Sequence, residues 1–156
     1  MRSPEVLAFW RSFRAAGGRD HDDYEVVSFG DSPALATELA GLVLAGRKRA
    51  TAFLARDIAS GAEAPRVGGH VVVVDGDGRP RLIWRTSELR VGPLISVDDD
   101  FARDEGEGDL SRTHWLDAHR RYFARQAARE GFAMHDGIVV VFERFTVVWP
   151  PEAGDR

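Results

Sequence analysis

A lysine and a threonine lie close together in the segment GRKRAT at residues 46–51, where a predicted helix gives way to a predicted strand. Lys48 could hold a phosphate or a carbonyl oxygen as a point charge, or act as a base if burial lowers its pKa. Thr51 could donate a hydrogen bond to a ligand, or act as a nucleophile beside a base. The structural alternative is a helix end, because glycine and cations commonly occur there. Taken alone, the segment fits that alternative better.

Three carboxylates separated by glycines lie in the acidic segment 98–109, namely Glu105, Glu107 and Asp109. A glutamate near a lysine is suited to general acid–base catalysis. The two glycines favour a flexible loop whose side chains face a cleft or water. The segment could equally be a solvated loop, or Asp109 could cap the next helix. The spacing does not match an EF-hand, so no metal site is predicted, and these three residues are only the candidates for one.

Further candidates lie on a predicted helix and a predicted strand. His119 falls on an apolar stripe that begins at Trp115, where a histidine is more often a buried structural residue than a ligand. Arg85 and Thr86 could point into a barrel mouth or could face solvent. The sequence has no Walker loop, no Rossmann glycine motif, no GxSxG elbow and no HExxH motif, so the enzyme classes that carry them are not indicated.

The composition is that of one soluble globular domain. The chain has 156 residues, of which 44% are apolar and 29% charged, and its net charge is −4. This charge argues against a protein that coats duplex DNA, though not against a local basic groove. The lack of cysteine excludes a disulfide partner and fits a reducing compartment. Because no signal peptide or membrane span is evident, we expect a cytoplasmic protein without membrane contact.

Helix and strand signals surround these candidates. Ser-Pro pairs predict two helix starts, one for an N-terminal helix at about 3–17 and one for a helix that stops at Gly46. A long amphipathic helix is predicted from residue 110 to 131. The order of elements predicts an α+β fold with a small curved sheet or open barrel and helices packed against it. Strands are predicted at 25–29 (or an extended lead-in), 51–54, 71–74, 81–91, 93–97 and 138–149, and one helical turn at 55–60.

Four motifs in this order resemble the ASCH domain family, whose fold is a PUA-like β-barrel. They are GxKxxT at 46–51, EGEGDLS at 105–111, WxxxHxxYF at 115–123 and VFERF at 141–145. The segments FGDS at 29–32 and WRT at 84–86 are similar to the longer, bacterial branch. The resemblance covers about residues 10–149. It implies a single domain over residues 1–156, in which helices pack against a small mixed β-barrel or curved sheet.

The resemblance also implies a function, because the family is expected to bind RNA in a cleft beside GxKxxT. A short member is an amidohydrolase acting on N4-acetylcytidine, and its catalytic lysine, threonine and glutamate match Lys48, Thr51 and Glu107 here. A loop shift would replace Glu107 by Glu105. A longer member is a metal-dependent ribonuclease, which implicates Lys48 and a divalent metal, Mg or Mn.

The leading expectation is therefore an RNA- or nucleoside-binding protein that acts as a metal-dependent ribonuclease of single-stranded RNA. One alternative is an amidohydrolase that deacylates N4-acetylcytidine-type nucleosides, and another is a non-catalytic RNA- or protein-binding module. The expected partner is single-stranded RNA or a modified nucleoside. The expected binding residues are Arg47, Arg49, Glu105, Arg85, Thr86, Trp115 and His119.

Overall fold

The computed structural model describes residues 2–17 and 21–154, in which a five-stranded sheet is flanked by helices. Most helices and strands begin and end within a few residues of the predicted positions. In chain order the elements are α1 (Pro4–Ala15), β1 (Tyr24–Ser28), α2 (Pro33–Leu44), β2 (Ala50–Leu54), α3 (Ala55–Ala59), β3 (His70–Val74), β4 (Pro80–Pro93), α4 (Asp99–Glu105), α5 (Arg112–Glu130) and β5 (Val139–Trp149).

The sheet has the strand order β1–β3–β4–β5–β2. β1 runs parallel to β3, and the other neighbours are antiparallel. The long strands β4 and β5 pair along most of their length, with register shifts of the kind that bend strands. The sheet curls into a half-barrel with helices against it, so the predicted α+β architecture is confirmed.

Apolar side chains cover the sheet in three clusters. α4 and α5 pack on β2 and β5 through residues such as Phe101 and Trp115. α2 contributes to a cluster that contains Val71, whereas α1 contributes to one that contains Val72. Successive strand residues point to opposite faces, and both valines are buried. β3 is therefore covered on both faces, as an unbroken run of valines predicts.

Both predicted Ser-Pro helix starts are present. The Ser3 hydroxyl accepts a hydrogen bond from the Val6 amide at 3.2 Å, and the Ser32 hydroxyl accepts one from the Leu35 amide at 3.2 Å. These caps satisfy amides that have no partner within the helix. α1 is shorter than the predicted 3–17. The glycine pair at 17 and 18 is a helix stop signal, and Gly18 lies outside the described residues.

Two details of the predicted secondary structure are wrong. Residues 93–97 are not a separate strand, because β4 already extends to Pro93 and a 3₁₀ turn follows at Leu94–Ser96. The acidic segment 98–109 is not only a loop, since it contains α4. Asp98 caps this helix by accepting a hydrogen bond from the Phe101 amide at 2.7 Å.

In the described part of the chain, no helix is long and apolar enough to cross a membrane. The single domain over residues 1–156 stays a prediction. Of its span, residues 1, 18–20, 155 and 156 lie outside the described residues.

Candidate active site

Lys48 lies in the short connection between α2 and β2. Gly46 adopts a left-handed conformation with φ of 80°, which glycine enters without steric cost. The amides of Arg47 and Lys48 then donate to the Leu42 carbonyl at 3.0 and 3.2 Å. As a result the Lys48 side chain turns into the protein, where only 1% of it is exposed, while Arg47 remains on the surface.

The turn after α4 packs directly against this connection. Gly106 has φ of 73°, and a Cβ atom there would overlap the Arg47 carbonyl oxygen. Only glycine therefore lets the two segments come this close. The Arg49 amide also donates to the Asp104 carbonyl at 2.7 Å. This packing buries Glu105, so the expectation of a flexible loop with exposed side chains is wrong at this residue.

Three ionisable side chains meet at this junction. Lys48 Nζ donates to Glu105 Oε2 at 2.5 Å and to Glu107 Oε2 at 3.1 Å. Burial by itself would lower the pKa of Lys48, but the two carboxylates raise that pKa above its ordinary value. Lys48 is therefore an ammonium at neutral pH.

The pKa values of the two glutamates are shifted in opposite directions. Burial raises the pKa of Glu105 to about 8, with Lys48 opposing the shift and the charge of Glu107 adding to it. Burial also acts on Glu107, but the Lys48 charge and a hydrogen bond with Glu105 outweigh it and lower the pKa of Glu107 to about 2. At neutral pH the pair thus holds a proton on Glu105 and a negative charge on Glu107. Acid–base catalysis uses this division between two carboxyl groups.

His119 on α5 lies next to this pair. Its ring stacks on Trp115 with centroids 3.8 Å apart, and its Nδ1 is 2.8 Å from the Trp115 carbonyl oxygen. Because a carbonyl only accepts, Nδ1 carries the hydrogen and Nε2 is left as an acceptor, 3.7 Å from Glu105 Oε1. Burial lowers the pKa of His119 to about 4, so the ring is neutral at pH 7. Glu105 Oε1 is buried without a hydrogen-bond partner among the described residues.

These four side chains line a cleft of about 240 Å³. Phe29, Thr51 and Tyr122 form further parts of its wall, and Arg121 and Arg125 add positive charge. Within the described chain, no residue forms a hydrogen bond with the Thr51 hydroxyl. That hydroxyl is therefore available to a ligand.

The ASCH domain family model matches residues 25–149. The chain belongs to the ASCH domain family. The crystal structure of an ASCH domain from Lactobacillus crispatus superimposes with a TM-score of 0.85 and 28% identity, over 93% of this chain and 94% of that one. A structure from Enterococcus faecalis gives a TM-score of 0.83 and 29% identity, over 92% of this chain and 88% of that one.

ASCH domains have the PUA-like fold and are generally RNA-binding, so the predicted family and fold are confirmed. Among functionally curated proteins, none matches this sequence.

The cleft of this ASCH domain brings together the residues predicted to carry its chemistry. They are Lys48, Thr51, Glu105, Glu107 and His119. Both glutamates contact Lys48, and which of them is the functional carboxylate stays a prediction. The catalytic roles of these residues stay predictions.

The remaining predicted binding residues lie outside the cleft lining. Arg47 and Arg85 are exposed, and the Arg49 guanidinium donates to main-chain carbonyls at 2.9 Å. Thr86 and Trp115 are buried, with 1% and 2% exposed. Trp115 acts on the cleft indirectly, since it carries the stacked His119 ring.

The cleft lining also includes residues outside the named site candidates, among them Phe29, Arg121 and Arg125. The two arginines lie on one face of α5 with Ala118 and Tyr122, at the i, i+3, i+4, i+7 spacing that places residues together. That spacing was the signal in the sequence. Phe29 belongs to the FGDS segment, which indicates the family but no role in the site, and its ring centroid lies 5.2 Å from Lys48 Nζ.

A divalent metal does not fit this arrangement. Glu105, Glu107 and His119 each offer a ligand atom, and these atoms lie within 4.8 Å of one another. However, the Lys48 ammonium already contacts both carboxylates and would repel a second cation there. Asp109, the other predicted candidate, is exposed and accepts a hydrogen bond from the Ser111 hydroxyl at 2.6 Å.

Proposed function

We propose that this ASCH domain binds RNA or a modified nucleoside in the cleft and hydrolyses an acyl amide on the base without a metal. The observation that carries the proposal is the buried Lys48 ammonium, which donates to both Glu105 and Glu107, and the opposite pKa shifts of the two glutamates agree with it. Such perturbed groups gather at functional sites. The ligand class is supported by the family, which is generally RNA-binding, and by the resemblance of Lys48, Thr51 and Glu107 to an N4-acetylcytidine amidohydrolase.

The surroundings of Lys48 suit a carbonyl oxygen better than a phosphate. Two of its three N–H donors bond Glu105 and Glu107, so one is left for a ligand. The negative charge of the glutamate pair would repel a phosphate at the same place. A carbonyl oxygen meets less repulsion, and it gains from the ammonium as negative charge develops on it.

The proposed reaction moves one proton from water and one proton to the amine. Glu107 takes a proton from water while the water oxygen bonds to the acyl carbon. Lys48 donates a hydrogen bond to the resulting oxyanion. Glu105 gives its proton to the amine nitrogen as the carbon–nitrogen bond breaks, which releases a carboxylic acid and a free amine. Proton transfer from Glu107 to Glu105 then restores the starting state.

The other cleft residues would bind the ligand. Thr51 is a donor rather than a nucleophile in this scheme, because none of the described residues accepts its proton as a base would. Arg121 and Arg125 are about half exposed and are paired with Asp117 and Asp31. Phosphates of an RNA ligand could share these cations. The cleft volume of about 240 Å³ is below the range usual for drug-sized ligands, which suits a single nucleoside unit.

A second candidate function is a metal-dependent ribonuclease of single-stranded RNA, with Mg or Mn as the metal. The ligand atoms of Glu105, Glu107 and His119, all within 4.8 Å of one another, favour it. This function requires Lys48 to leave the two carboxylates before an ion can bind. It therefore needs a rearrangement that the amidohydrolase does not.

Assays on two substrates separate these functions. The protein is incubated with N4-acetylcytidine and with single-stranded RNA, each with and without a chelator. We expect cytidine to be released at the same rate in chelator, and the RNA to stay intact. RNA cleavage that stops in chelator would support the ribonuclease instead. Binding without turnover of either substrate would identify a non-catalytic RNA-binding module.

A further inference from the structure

A second cavity, of about 360 Å³, adjoins the cleft and shares Phe29, Thr51 and Tyr122 with it. Glu143 on β5 lines this cavity and pairs with Thr51 across the two strands. Glu143 belongs to the VFERF motif but has no part in the proposed reaction. Lys48 and its two glutamates, which we call the Lys48 centre, line the cleft, whereas Glu143 lines the second cavity. The cleft and the cavity meet at Thr51.

Glu143 is a buried carboxylate with one oxygen left unbonded. Only 3% of the residue is exposed, and its Oε2 accepts hydrogen bonds from Thr86 Oγ1 at 2.7 Å and Trp84 Nε1 at 3.2 Å. No donor among the described residues reaches its Oε1. Burial raises the pKa of Glu143, whereas the bonds from Thr86 and Trp84 favour its ionised form. Oε1 is not among the fully buried atoms that lack a partner, so it is open to the cavity, where a ligand can supply the donor.

The rest of the cavity suits a flat ring that carries donors. Glu25 and Glu63 add negative charge, and the described lining residues include no lysine, arginine or histidine. A phosphate would therefore be repelled. Phe29, Trp84 and Tyr122 supply aromatic walls, which are the surfaces on which unpaired RNA bases stack.

We propose that this cavity is a base-binding subsite in which Glu143 Oε1 accepts a hydrogen bond from an exocyclic amino group. The inference rests on the proposed function, namely that the cleft binds RNA or a nucleoside. A glutamate that accepts from the amino group of cytosine is an established pairing. A base with a carbonyl at that position would set a lone pair against the carboxylate and be disfavoured. Since the reacting acyl group lies at Lys48, the two subsites would hold neighbouring parts of one RNA ligand.

Nucleosides that differ in one amino group test this proposal. Guanosine carries an N2 amino group that inosine lacks. Cytidine carries an amino group at the position where uridine has a carbonyl. We expect the wild-type protein to bind guanosine more tightly than inosine, and cytidine more tightly than uridine, each by roughly tenfold, as for a hydrogen bond to a charged group. Isothermal titration calorimetry measures these affinities.

Glu143→Gln is the informative variant. The donors of Trp84 and Thr86 would hold the glutamine oxygen in the place of Oε2, which sets the amide nitrogen where Oε1 lies. A free acceptor thus becomes a donor, so the preference should reverse in favour of uridine over cytidine. Glu88→Gln is the matched control, because Glu88 is exposed on β4 and lies outside the cavity lining. It should keep the wild-type preference.

Equal wild-type affinity for both members of each nucleoside pair would overturn the proposal, and this comparison needs no variant to fold. An unchanged preference in a Glu143→Gln protein with the wild-type melting curve would overturn it as well. Binding without discrimination would leave the proposed function intact. Failure of the wild-type protein to bind any nucleoside would overturn both.

Discussion

Lys48 is buried at the expense of its hydration, and close partners must compensate for that loss. Glu105 and Glu107 do so with two charged hydrogen bonds. When one partner of a buried ion pair is removed, the charge that remains loses its compensation, and the cost exceeds what the pair contributed. Loss of Lys48 should therefore affect stability as well as function.

We predict that Lys48→Met lowers the free energy of unfolding by about 3 kcal/mol, the low end of the cost of an unpaired buried charge, because Glu107, the carboxylate left charged, is 29% exposed. Arg47→Ala removes the neighbouring exposed cation and should change stability by less than about 0.5 kcal/mol. Urea unfolding of both variants and the wild type measures the difference. A Lys48→Met protein as stable as the wild type would show that the ammonium does not hold the two carboxylates in place.

The raised pKa of Glu105 predicts a pH dependence of stability. Its value rises from 4.5 to about 8 on folding, so the stability linked to its folded-state proton is complete below 4.5 and is lost as pH rises through 8. His119 acts in the opposite sense, because its pKa falls from 6.5 to about 4 and its contribution is lost as pH falls through that range. Glu105 is therefore best observed above pH 6.5.

Between that pH and 8, we expect the free energy of unfolding of the wild type to fall by up to about 1.4 kcal/mol per pH unit. Glu105→Gln, which cannot titrate, should show a flatter curve. Urea unfolding at several pH values in this window gives both curves. Parallel curves would contradict a protonated Glu105 in the folded protein.

At the level of elements, the short helix α4 sets the position of both glutamates. It begins at the Asp98 cap and ends at Gly106, whose left-handed backbone turns the chain toward Glu107. The missing side chain of Gly106 makes room for the Arg47 carbonyl. The contact between α4 and the α2–β2 connection therefore depends on this glycine.

We predict that Gly106→Ala destabilises the protein by more than about 2 kcal/mol, since positive φ costs about 1 kcal/mol and steric overlap adds to it. Gly131→Ala is the matched control. Gly131 ends α5 with φ of 79°, but a Cβ atom there would have nothing within 4 Å. Gly131→Ala should therefore lose only the stability that the positive φ costs, without the cost of steric overlap. Thermal unfolding compares the two, and equal losses would show that the close approach at Gly106 does not matter.

Local signals in the sequence predict most elements of this fold. The Ser-Pro pairs mark the starts of α1 and α2, and the valine run marks a strand covered on both faces. α4 was missed because Phe101 and Ala102 are adjacent among charged residues, which leaves no apolar helical spacing to recognise. The strand predicted at 93–97 failed because β4 and the turn after it share one apolar stretch.

The sequence motifs predict which residues form the site, but they do not predict the burial or the hydrogen bonds of those residues. GxKxxT and EGEGD point to Lys48 and Glu107, and the fold brings these residues together. The burial of Glu105 follows from the packing of Gly106 on a segment far away in the chain. Likewise, the unbonded oxygen of Glu143 depends on its neighbours across the sheet. Such long-range contacts leave no local pattern in a sequence.

At the level of the whole molecule, the charges favour a ligand with few phosphates. The net charge is −4, and arginines on α5 are paired with aspartates, as Arg120 is with Asp136 at 2.9 Å. Among the residues that the structure describes, Arg121 and Arg125 are the cationic side chains that line the cleft beside Lys48. An RNA chain would therefore be held mainly by its base and only weakly by its backbone.

We predict a shallow salt dependence of binding to single-stranded RNA. Each neutralised phosphate contributes about −0.7 to the slope of log K against log salt, so two arginines give a slope of about −1.4. Fluorescence anisotropy with a labelled oligonucleotide measures it. Arg121→Ala should reduce the slope by about half. A slope several times steeper would indicate a basic surface elsewhere on the molecule.

Hydrolysis of N4-acetylcytidine in the presence of a chelator tests the Lys48 centre most directly. We expect the wild-type protein and Arg47→Ala to release cytidine at similar rates. Lys48→Met, at a temperature where circular dichroism shows it folded, should lose at least about 100-fold in kcat/KM, as when a donor to an oxyanion is removed. A folded Lys48→Met protein that turns over at the wild-type rate, or a wild-type protein that releases no cytidine, would contradict the proposed function.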